Sequence, residues 1–380
     1  MKQLFTLLFS LALAHGVAAE ILTLDRALEL ARENSFQLKA NQKQIDAHEQ
    51  TILATGLWES PELEFESEEV GGDYNGLDDT EYTVGLKQKI PLGGKTQKER
   101  AIAQATLNES NHSLRQNALE LNETVQRLFI EVMSEQEIGK IHSEQEQLGR
   151  ALVEVAQRRF EAGTGSELDI VQAQLELVRI RQAQSCCLGD LKAVQIKLAS
   201  MLNVSTSHVA EVNMPFYELQ PVDSFTLDRN FPILRQYEAQ EEKLLAEARR
   251  AASGDVPDVT VGAGVRYEAE SDMNSFVFSA SIPLTWSRPG RSQSVAALLE
   301  AEAVWMERAE AQRKLESEIL ALKALYQGTE TQVLMSKNDL IPAAEKAYEL
   351  SRKGYEAGRF SWIELIAAQQ NLAEIKIAYL

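Results

Sequence analysis

The side chains that could carry out covalent or metal chemistry do not fall into a known catalytic pattern. The stretch LGGKT at residues 92–96 resembles the end of a phosphate-binding loop, but that loop requires glycine five positions before Gly94, where this sequence has Lys89. The sequence contains no Gly-x-Ser-x-Gly nucleophile motif. The histidines after the N-terminal segment lack the His-x-x-x-His spacing of zinc proteases: His48, His112, His142 and His208. These residues therefore predict no enzyme activity, no cofactor and no metal site.

The two cysteines, Cys186 and Cys187, are adjacent in the sequence. Neighbouring side chains on a helix point about 100° apart, so the two thiols do not face each other. A pair this close is not a disulfide framework, and no further ligands stand at the spacing of a zinc site. We interpret both cysteines as helix-surface or packing residues.

The formal net charge is −19, from 57 acidic and 38 basic residues. Nucleic-acid binding requires basic patches, so it is not expected of this chain. An acidic surface repels anions and attracts cations. Solubility alone would also account for this charge.

Residues 1–19 have the pattern of a signal peptide. Lys2 supplies a positive charge, residues 4–14 are apolar, and small residues precede a cleavage point before Glu20. The alternative is a buried N-terminal helix. No later apolar run approaches about 18 residues, the length that a membrane-spanning helix needs. The sequence therefore predicts an exported protein in which only strands could cross a membrane.

The chain contains an internal duplication. Four matches occur in the same order at offsets of 192 to 196 residues: Phe36 with Phe231, Pro61 with Pro257, Ile90 with Ile282, and Phe160-Glu161-Ala162-Gly163 with Tyr355-Glu356-Ala357-Gly358. The duplication predicts a first repeat over residues 20–202 and a second repeat over residues 231–380. Residues 203–230, which include Pro215 and Pro221, form the predicted linker or equatorial segment between them.

Each repeat is predicted to contain a helix, two strands, a very long helix, a tight turn and a returning helix. The first helix should cover residues 24–56. Apolar residues then alternate with polar or small residues, as in strands, within four segments: residues 62–66, 81–87, 259–268 and 275–282.

The long helices carry a coiled-coil pattern. Leu107, Leu114, Leu121 and Leu128 recur every seven residues, which indicates left-handed supercoiling. The first long helix is predicted over residues 95–161, about 100 Å at 1.5 Å per residue. The second should cover residues 291–356 and bend at Pro342.

Four strands of about ten residues suit a transmembrane barrel, but bacterial barrels need about eight or more strands. The chain should therefore share one barrel with copies of itself, because two copies give eight strands and three give twelve. The alternative is a small soluble sheet beside a coiled coil, since the same alternation fits both.

The duplicated helix-strand-strand-helix-helix plan, the IPLGGK and IPL junctions and the two (F/Y)EAG turns resemble the TolC family of outer-membrane efflux proteins. The resemblance covers nearly all of the chain after residue 19. It implies a mostly α fold with β: a homotrimer with a long α-helical coiled-coil barrel and one shared β-barrel of twelve strands, four per chain. Such a channel lies in outer-membrane lipid, extends into the periplasm, and binds a periplasmic adaptor protein and an inner-membrane efflux pump. SPELEFESEEVGG followed by LKQKIPLGGK resembles the heavy-metal branch, the cobalt–zinc–cadmium resistance channels.

The two glycine turns should form the periplasmic end of the channel. Gly163, Gly165 and Gly358 can adopt positive φ, and Ser166 and Ser361 are suitable N-caps for the returning helices. The resemblance implies that adaptor hairpins dock at these tips. The predicted contact residues are Phe160, Gly163, Gly165, Tyr355, Gly358, Arg158, Arg159, Arg352, Lys353 and Arg359. Charge compensation at helix C-termini would equally explain the basic residues among them.

Asp169 and Glu364 stand six residues after the two equivalent glycines. The resemblance implies that Glu364 belongs to an acidic ring at the periplasmic entrance, with Asp169 as its counterpart in the first repeat. Carboxylates around a symmetry axis favour cations. The family's next acidic position holds Gln172 and Ala367 here, which argues against a double ring. A solvated helix face is the alternative for Glu364.

The leading hypothesis is a passive conduit that exports heavy-metal cations. Drug efflux and type I secretion are alternatives within the same family. A periplasmic coiled-coil adaptor is the alternative from another class, but it should contain one helical hairpin with a lipoyl-like sheet.

Overall fold

The computed structural model describes residues 21–70, 80–213, 230–284 and 287–380. The predicted signal peptide and most of the predicted linker lie outside these residues. The chain divides into two compact units. The first contains Met1–Ser35, Glu120–Asp223 and Leu322–Leu380, and the second contains Phe36–Leu119 and Ser224–Ala321.

The described chain is mostly helical, as the sequence predicted. The helices are α1 (Leu24–Asn34), α2 (Phe36–Ala54), α3 (Lys95–Glu161), α4 (Glu167–Leu202), α5 (Pro232–Ala252), α6 (Pro289–Met335), α7 (Ile341–Glu356) and α8 (Trp362–Tyr379). The strands are β1 (Leu22–Thr23), β2 (Glu62–Glu68), β3 (Glu81–Ile90), β4 (Val212–Asn213), β5 (Val259–Glu268) and β6 (Met273–Ser281). The order helix, two strands, long helix and returning helix occurs twice, while the boundaries of the repeats stay a prediction.

The prediction for α3 is confirmed at both ends, Lys95 and Glu161. The prediction of one continuous first helix over residues 24–56 is wrong. Ser35 separates α1 from α2 because its ψ of 114° leaves the helical region. Asn34 donates from Nδ2 to the carbonyl of Leu202 at 3.1 Å, which ties the end of α1 to the end of α4.

The second long helix changes its geometry close to Pro342. Residues Ser336–Leu340 form a π-helical turn between α6 and α7, in which Ile341 donates to the carbonyl of Ser336. Proline has no backbone N–H and crowds the carbonyl four residues earlier, so a wider turn accommodates it. The sequence therefore located the irregularity in this helix, and the structure gives its form.

The second unit contains a four-stranded antiparallel sheet in the order β2-β3-β5-β6. Residues on one face are mainly apolar, and a typical row across all four strands is Phe65, Val84, Val265 and Phe276. The opposite face carries charged, hydroxyl and glycine residues. Within the described residues, β2 and β6 each pair along only one edge. The sheet thus has two open edges and one exposed apolar face.

The first unit has two apolar cores. One contains Phe129 and Val132 of α3, Leu198 and Leu202 of α4, and the small parallel pair β1–β4, which the sequence did not predict. The other contains residues from the ends of α3, α4, α7 and α8 next to the glycine turns: Leu152, Ala156, Ala173, Ala344, Tyr348, Tyr355, Trp362, Leu365 and Leu372.

None of the helices in the described ranges is both long enough and apolar enough to span a membrane.

Candidate functional site

The α3–α4 turn, called turn one here, is closed by backbone hydrogen bonds to Arg159. Thr164 and Gly165 both donate to its carbonyl at 2.9 Å, and Gly163 donates to the carbonyl of Phe160 at 2.9 Å. This pattern caps the last free carbonyls of α3.

The α7–α8 turn, called turn two, repeats this pattern 195 residues later. Arg359 and Phe360 donate to the carbonyl of Gly354 at 2.8 and 3.2 Å, and Gly358 donates to Tyr355 at 3.0 Å. The sequence match between the two (F/Y)EAG motifs therefore reflects one backbone conformation that is used twice.

Two of the three predicted positive φ angles are present. Gly163 has φ of 70° and Gly358 has φ of 74°, where an L side chain would be strained. The prediction for Gly165 is wrong, because its φ is not positive. A Cβ on Gly165 would stand 2.9 Å from Cβ of Arg159, so glycine is needed there for space.

In each turn, a glycine at one position makes room for a large side chain at a second position. The two turns exchange these positions. In turn one Arg159 is large and Gly165 is small. In turn two the equivalent pair is reversed, because Gly354 is small and the Phe360 ring lies against it. A Cβ on Gly354 would stand 2.1 Å from Cδ2 of Phe360. Sequence reasoning missed Gly354 and Phe360, although the exchange is readable from the aligned repeats.

Both predicted N-caps are present. Ser166 accepts from the backbone N–H of Leu168 at 3.1 Å. Ser361 accepts from the backbone N–H of Glu364, and the Glu364 carboxylate accepts from the backbone N–H of Ser361 at 2.7 Å. This reciprocal capping box fixes the first turn of α8.

Arg159 lies between the two turns instead of pointing freely into solvent. Its Nη1 donates to the carbonyl of Tyr355 at 2.6 Å, and its Nη2 donates to the carbonyl of Thr164 at 3.0 Å. Its guanidinium also lies 4.4 Å from the centre of the Tyr355 ring, a cation–π contact. Arg159 therefore joins turn one to the last residues of α7.

The Tyr355 side chain is almost fully enclosed at the tips, with 1% of its surface exposed. Its ring meets Trp362 edge-on at 5.5 Å, and its hydroxyl donates to Oδ2 of Asp169 at 3.3 Å. Burial, together with the Asp169 carboxylate, raises the pKa of Tyr355 to about 12. The hydroxyl thus keeps its proton and stays a donor to Asp169 over the ordinary pH range.

The two predicted entrance carboxylates have different partners. Asp169 accepts from Tyr355 of the other turn, whereas Glu364 accepts from Ser361 within its own helix. The backbone N–H and hydroxyl of Ser361 hold the pKa of Glu364 below its usual range. Glu364 is exposed and ionised at neutral pH, so it presents a negative charge at the start of α8.

The remaining basic residues of the tips are exposed or partly exposed and stand near carboxylates. Arg158 is 4.0 Å from Glu154, and Lys353 is 3.1 Å from Glu349. Arg352 is 3.7 Å from Glu349 and 3.8 Å from Glu356. Arg359 lies exposed in turn two. Exposed pairs of this kind hold their partners weakly, so these cations stay available to another molecule.

The cysteines have different environments. Cys187 is buried, and its Sγ lies 3.5 Å from the backbone carbonyl of Glu135. Burial, together with the nearby side-chain carboxylate of Glu135, raises the pKa of the Cys187 thiol to about 11. Cys186 is exposed. No group of three or more His, Cys, Asp or Glu side chains that could hold a metal ion occurs in the part of the chain that the structure describes.

The long helices, the four-stranded sheet and the two helix turns define a fold of two helical hairpins, each preceded in the sequence by a pair of strands. Residues 27–204 match the family described as outer membrane efflux protein. This match extends from within α1 to the residues just after α4.

Individual proteins are similar to this chain over most of its length. The chain is 24% identical over 374 residues to the cobalt-zinc-cadmium resistance protein CzcC of Cupriavidus metallidurans. The aligned region covers 96% of this chain and 87% of that protein. The solved structure of CusC matches 94% of this chain and 87% of its own chain, with a TM-score of 0.76 and 14% identity. VceC from Vibrio cholerae matches 94% of this chain and 91% of its own, with a TM-score of 0.75 and 14% identity.

Proposed function

We propose that this chain forms the outer-membrane conduit of a tripartite efflux system and exports heavy-metal cations without chemistry of its own. The observation that carries the proposal is the exposed apolar face of the sheet. Leu63, Phe65, Phe276 and Phe278 have 75%, 67%, 81% and 80% of their surfaces exposed. Exposed apolar side chains of this size on one sheet face suit contact with lipid.

The opposite face of the sheet suits a water-filled lumen. Glu64 pairs with Lys87, and Arg266 pairs with Glu68 and Glu81 at 3.0 and 2.5 Å. A Cβ on Gly264 of the same face would stand 2.7 Å from the carbonyl of Val84. Glycines with such close backbone neighbours mark sharp bends in barrel sheets. These features favour a sheet that curves with its polar face inward.

The open edges of β2 and β6 favour a barrel that several copies of the chain complete. A homotrimer with twelve strands follows the pattern of the family. We propose that each copy of the chain consists of two repeats, residues 20–202 and residues 231–380, on either side of the linker. A periplasmic adaptor, which should contain one hairpin with a lipoyl-like sheet, is disfavoured by the two helical hairpins and the four-stranded sheet.

The two turns are proposed to dock a periplasmic adaptor protein, which connects the channel to an inner-membrane pump. Phe160 and Phe360 each expose 43% of their surfaces there, beside the weakly held cations Arg158, Lys353 and Arg359. An aromatic residue next to cations is typical of binding surfaces. Arg159 is not proposed to contact the adaptor directly. Its side chain instead connects the two turns through its hydrogen bond to the carbonyl of Tyr355.

Glu364 is proposed to line the entrance, with Asp169 as its counterpart in the first repeat. Replacing Glu364 with Gln tests this role, because glutamine retains the capping box but removes the charge. We expect weaker cation preference in bilayer conductance, while Glu167→Gln in the first turn of α4 should behave like the parent. Unchanged conductance and unchanged cation preference in Glu364→Gln would reject the entrance role.

Heavy-metal cations are the proposed substrate because of the likeness to CzcC and the net charge of −19. Deletion of the gene followed by growth on zinc, cadmium, cobalt, copper, silver and hydrophobic drugs tests this. Metal sensitivity that the parent gene restores supports the proposal. Sensitivity to drugs alone would instead favour drug efflux, the second candidate within the family.

A further inference from the structure

The two ends of the four-stranded sheet differ in charge. At the end where β2 finishes and β6 begins, the described residues 67–70, 80–82 and 267–274 contain glutamates and aspartates but no lysine or arginine. At the opposite end, where the strands meet α2, α3, α5 and α6, Arg100, Arg288 and Arg291 are exposed. In a chain with a formal net charge of −19, this separation indicates that the helix end of the sheet faces a negatively charged partner.

The segments at the helix end pack side by side. A Cβ on Gly56, just after α2, would stand 2.8 Å from the carbonyl of Thr96 in α3. A Cβ on Gly93, just before α3, would stand 3.2 Å from Cβ of Val256, which leads from α5 into β5. We call this surface the rim: residues 56–61, 91–100, 253–258, 282–284 and 287–291.

The carboxylates of the rim already have partners. Asp255 accepts from the backbone N–H groups of Gly290 and Arg291 at 2.9 and 3.2 Å, so it caps the start of α6. The other three carboxylates pair with cations at 2.6 to 2.7 Å: Glu59 with Lys89, Glu99 with Arg250, and Asp258 with Lys95. The negative charge of the rim is therefore largely offset from within the chain.

Three arginines of the rim keep their charge for another molecule. Arg100, Arg288 and Arg291 have no carboxylate partner among the residues that the structure describes. Lys98 adds a fourth positive charge and donates to the carbonyl of Gly93 at 3.0 Å. Guanidinium groups bind phosphate oxygens through two parallel hydrogen bonds, which makes phosphate a suitable ligand for this rim.

Large apolar side chains lie beside these cations. Trp58 and Leu284 have 60% and 79% of their surfaces exposed. Ile282 and Leu284 continue the two-residue spacing of the exposed phenylalanines in β6, and Arg288 follows only four residues later. Tryptophan next to basic residues at the limit of an apolar surface is typical of the boundary between membrane and water.

We infer that the rim binds phospholipid headgroups, with Arg288 and Arg291 on the phosphate groups and Trp58 and Leu284 at the edge of the hydrocarbon region. This inference rests on the proposed function, in which the apolar sheet face contacts lipid. Anionic phospholipids should be preferred, because basic residues are attracted to their net negative charge. Asp255 occupies the first N–H groups of α6, so the phosphate meets arginine side chains instead of the helix N-terminus.

Native mass spectrometry of the full-length protein in detergent tests the inference by counting retained lipids. Phosphatidylglycerol and phosphatidylcholine are titrated separately. The test variant combines Arg288→Gln with Arg291→Gln, and the control combines Arg313→Gln with Lys314→Gln, exposed cations of the same helix. Because each basic residue near an anionic lipid surface is worth about fivefold in affinity, the test variant should bind phosphatidylglycerol roughly 25-fold more weakly than the parent. The control should bind it like the parent.

A variant that keeps the charge separates lost binding from misfolding. Arg288→Lys with Arg291→Lys should retain most of the phosphatidylglycerol binding. Equal binding by the glutamine variant and the parent would overturn the inference, and so would displacement of the lipid by an equal concentration of inorganic phosphate. Both results leave the conduit intact if the parent conducts in a planar bilayer. A parent that neither retains lipid nor conducts would contradict the proposed function as well.

Tryptophan fluorescence in reconstituted vesicles tests where the rim lies. Phosphatidylglycerol that is brominated on its acyl chains quenches tryptophans at the membrane boundary. Trp58→Phe should therefore remove part of the quenched fluorescence. Trp305→Phe is the control, because Trp305 is also exposed but lies about 20 Å further along α6 than Arg291. Quenching that persists in full in Trp58→Phe would overturn the position of the rim in the membrane.

Discussion

Tyr355 joins the two turns through three separate groups. Its carbonyl accepts from Arg159, its ring contacts the guanidinium, and its hydroxyl donates to Asp169. Trp362 covers the ring from the side of α8. Tyr355 is therefore an enclosed point of contact between the two hairpins, within the apolar core that they share.

Replacing Tyr355 with Phe removes the hydroxyl and its hydrogen bond to Asp169 while it keeps the ring. We expect a loss of about 1–2 kcal/mol in the free energy of unfolding, because a partly buried hydrogen bond between side chains is lost. Tyr348→Phe on the same helix is the control, and it should change stability by less than about 0.5 kcal/mol. Thermal unfolding in detergent measures both, and equal effects in the two variants would contradict the role of the hydroxyl.

The raised pKa of Tyr355 also predicts a pH dependence. The folded-state pKa of about 12 lies above the ordinary value of 10.0, so the hydroxyl contributes stability that is complete below pH 10. This stability is lost as the pH rises from 10 towards 12. The stability difference between parent and Tyr355→Phe should therefore change in this alkaline range and stay constant from pH 6 to 9.

The contact between Gly354 and Phe360 predicts a coupled pair. Gly354→Ala should destabilise the protein by about 1–3 kcal/mol, because the new Cβ overlaps the phenyl ring. Adding Phe360→Ala removes the obstacle, so the double variant should regain most of that loss. A double-mutant cycle on thermal stability measures the coupling, and strictly additive effects would contradict the contact.

At this scale the sequence predicted turn glycines and caps better than side-chain partners. Gly163 and Gly358 follow from the need for positive φ at a helix end, a local property. The contacts of Arg159 with Tyr355 depend on how two hairpins pack, and they join residues 196 positions apart. The cluster of basic residues near the turns predicted Arg159 as a partner contact. That cluster could not indicate that the Arg159 side chain contacts Tyr355 of the same chain.

Among the elements, the junctions between strands and long helices have the clearest sequence signals. Pro91 and two glycines precede α3, and the (F/Y)EAG motif ends it, so its limits could be predicted to the residue. The break at Ser35 carries no proline or glycine and follows from packing at the end of α4. Tertiary contacts of this kind are invisible to local patterns.

Lys95 begins α3 at one of these junctions, and its ion pair with Asp258 predicts an effect on stability. Its side chain is 11% exposed, and Lys95→Met would leave Asp258 partly buried without its cation. We expect a loss of about 1–3 kcal/mol in stability. Lys43→Met removes an exposed pair with Asp46 and should leave the unfolding temperature close to that of the parent, because solvent screens such a pair. Equal unfolding temperatures for the two variants would contradict a supporting role for Lys95.

For the whole molecule, strand number was the decisive deduction from sequence. Four amphipathic strands are too few for a closed barrel, and the sheet indeed leaves β2 and β6 with one open edge each within the described residues. The pattern alone could not determine which edges meet, because that depends on register.

Conductance in planar lipid bilayers tests the central claim most directly. The purified protein, extracted in detergent and reconstituted, should insert and give discrete conductance steps that favour cations over anions, as expected for an acidic conduit. A protein that stays soluble and monomeric without detergent, and that adds no conductance to the bilayer, would contradict the account of this chain as an outer-membrane channel.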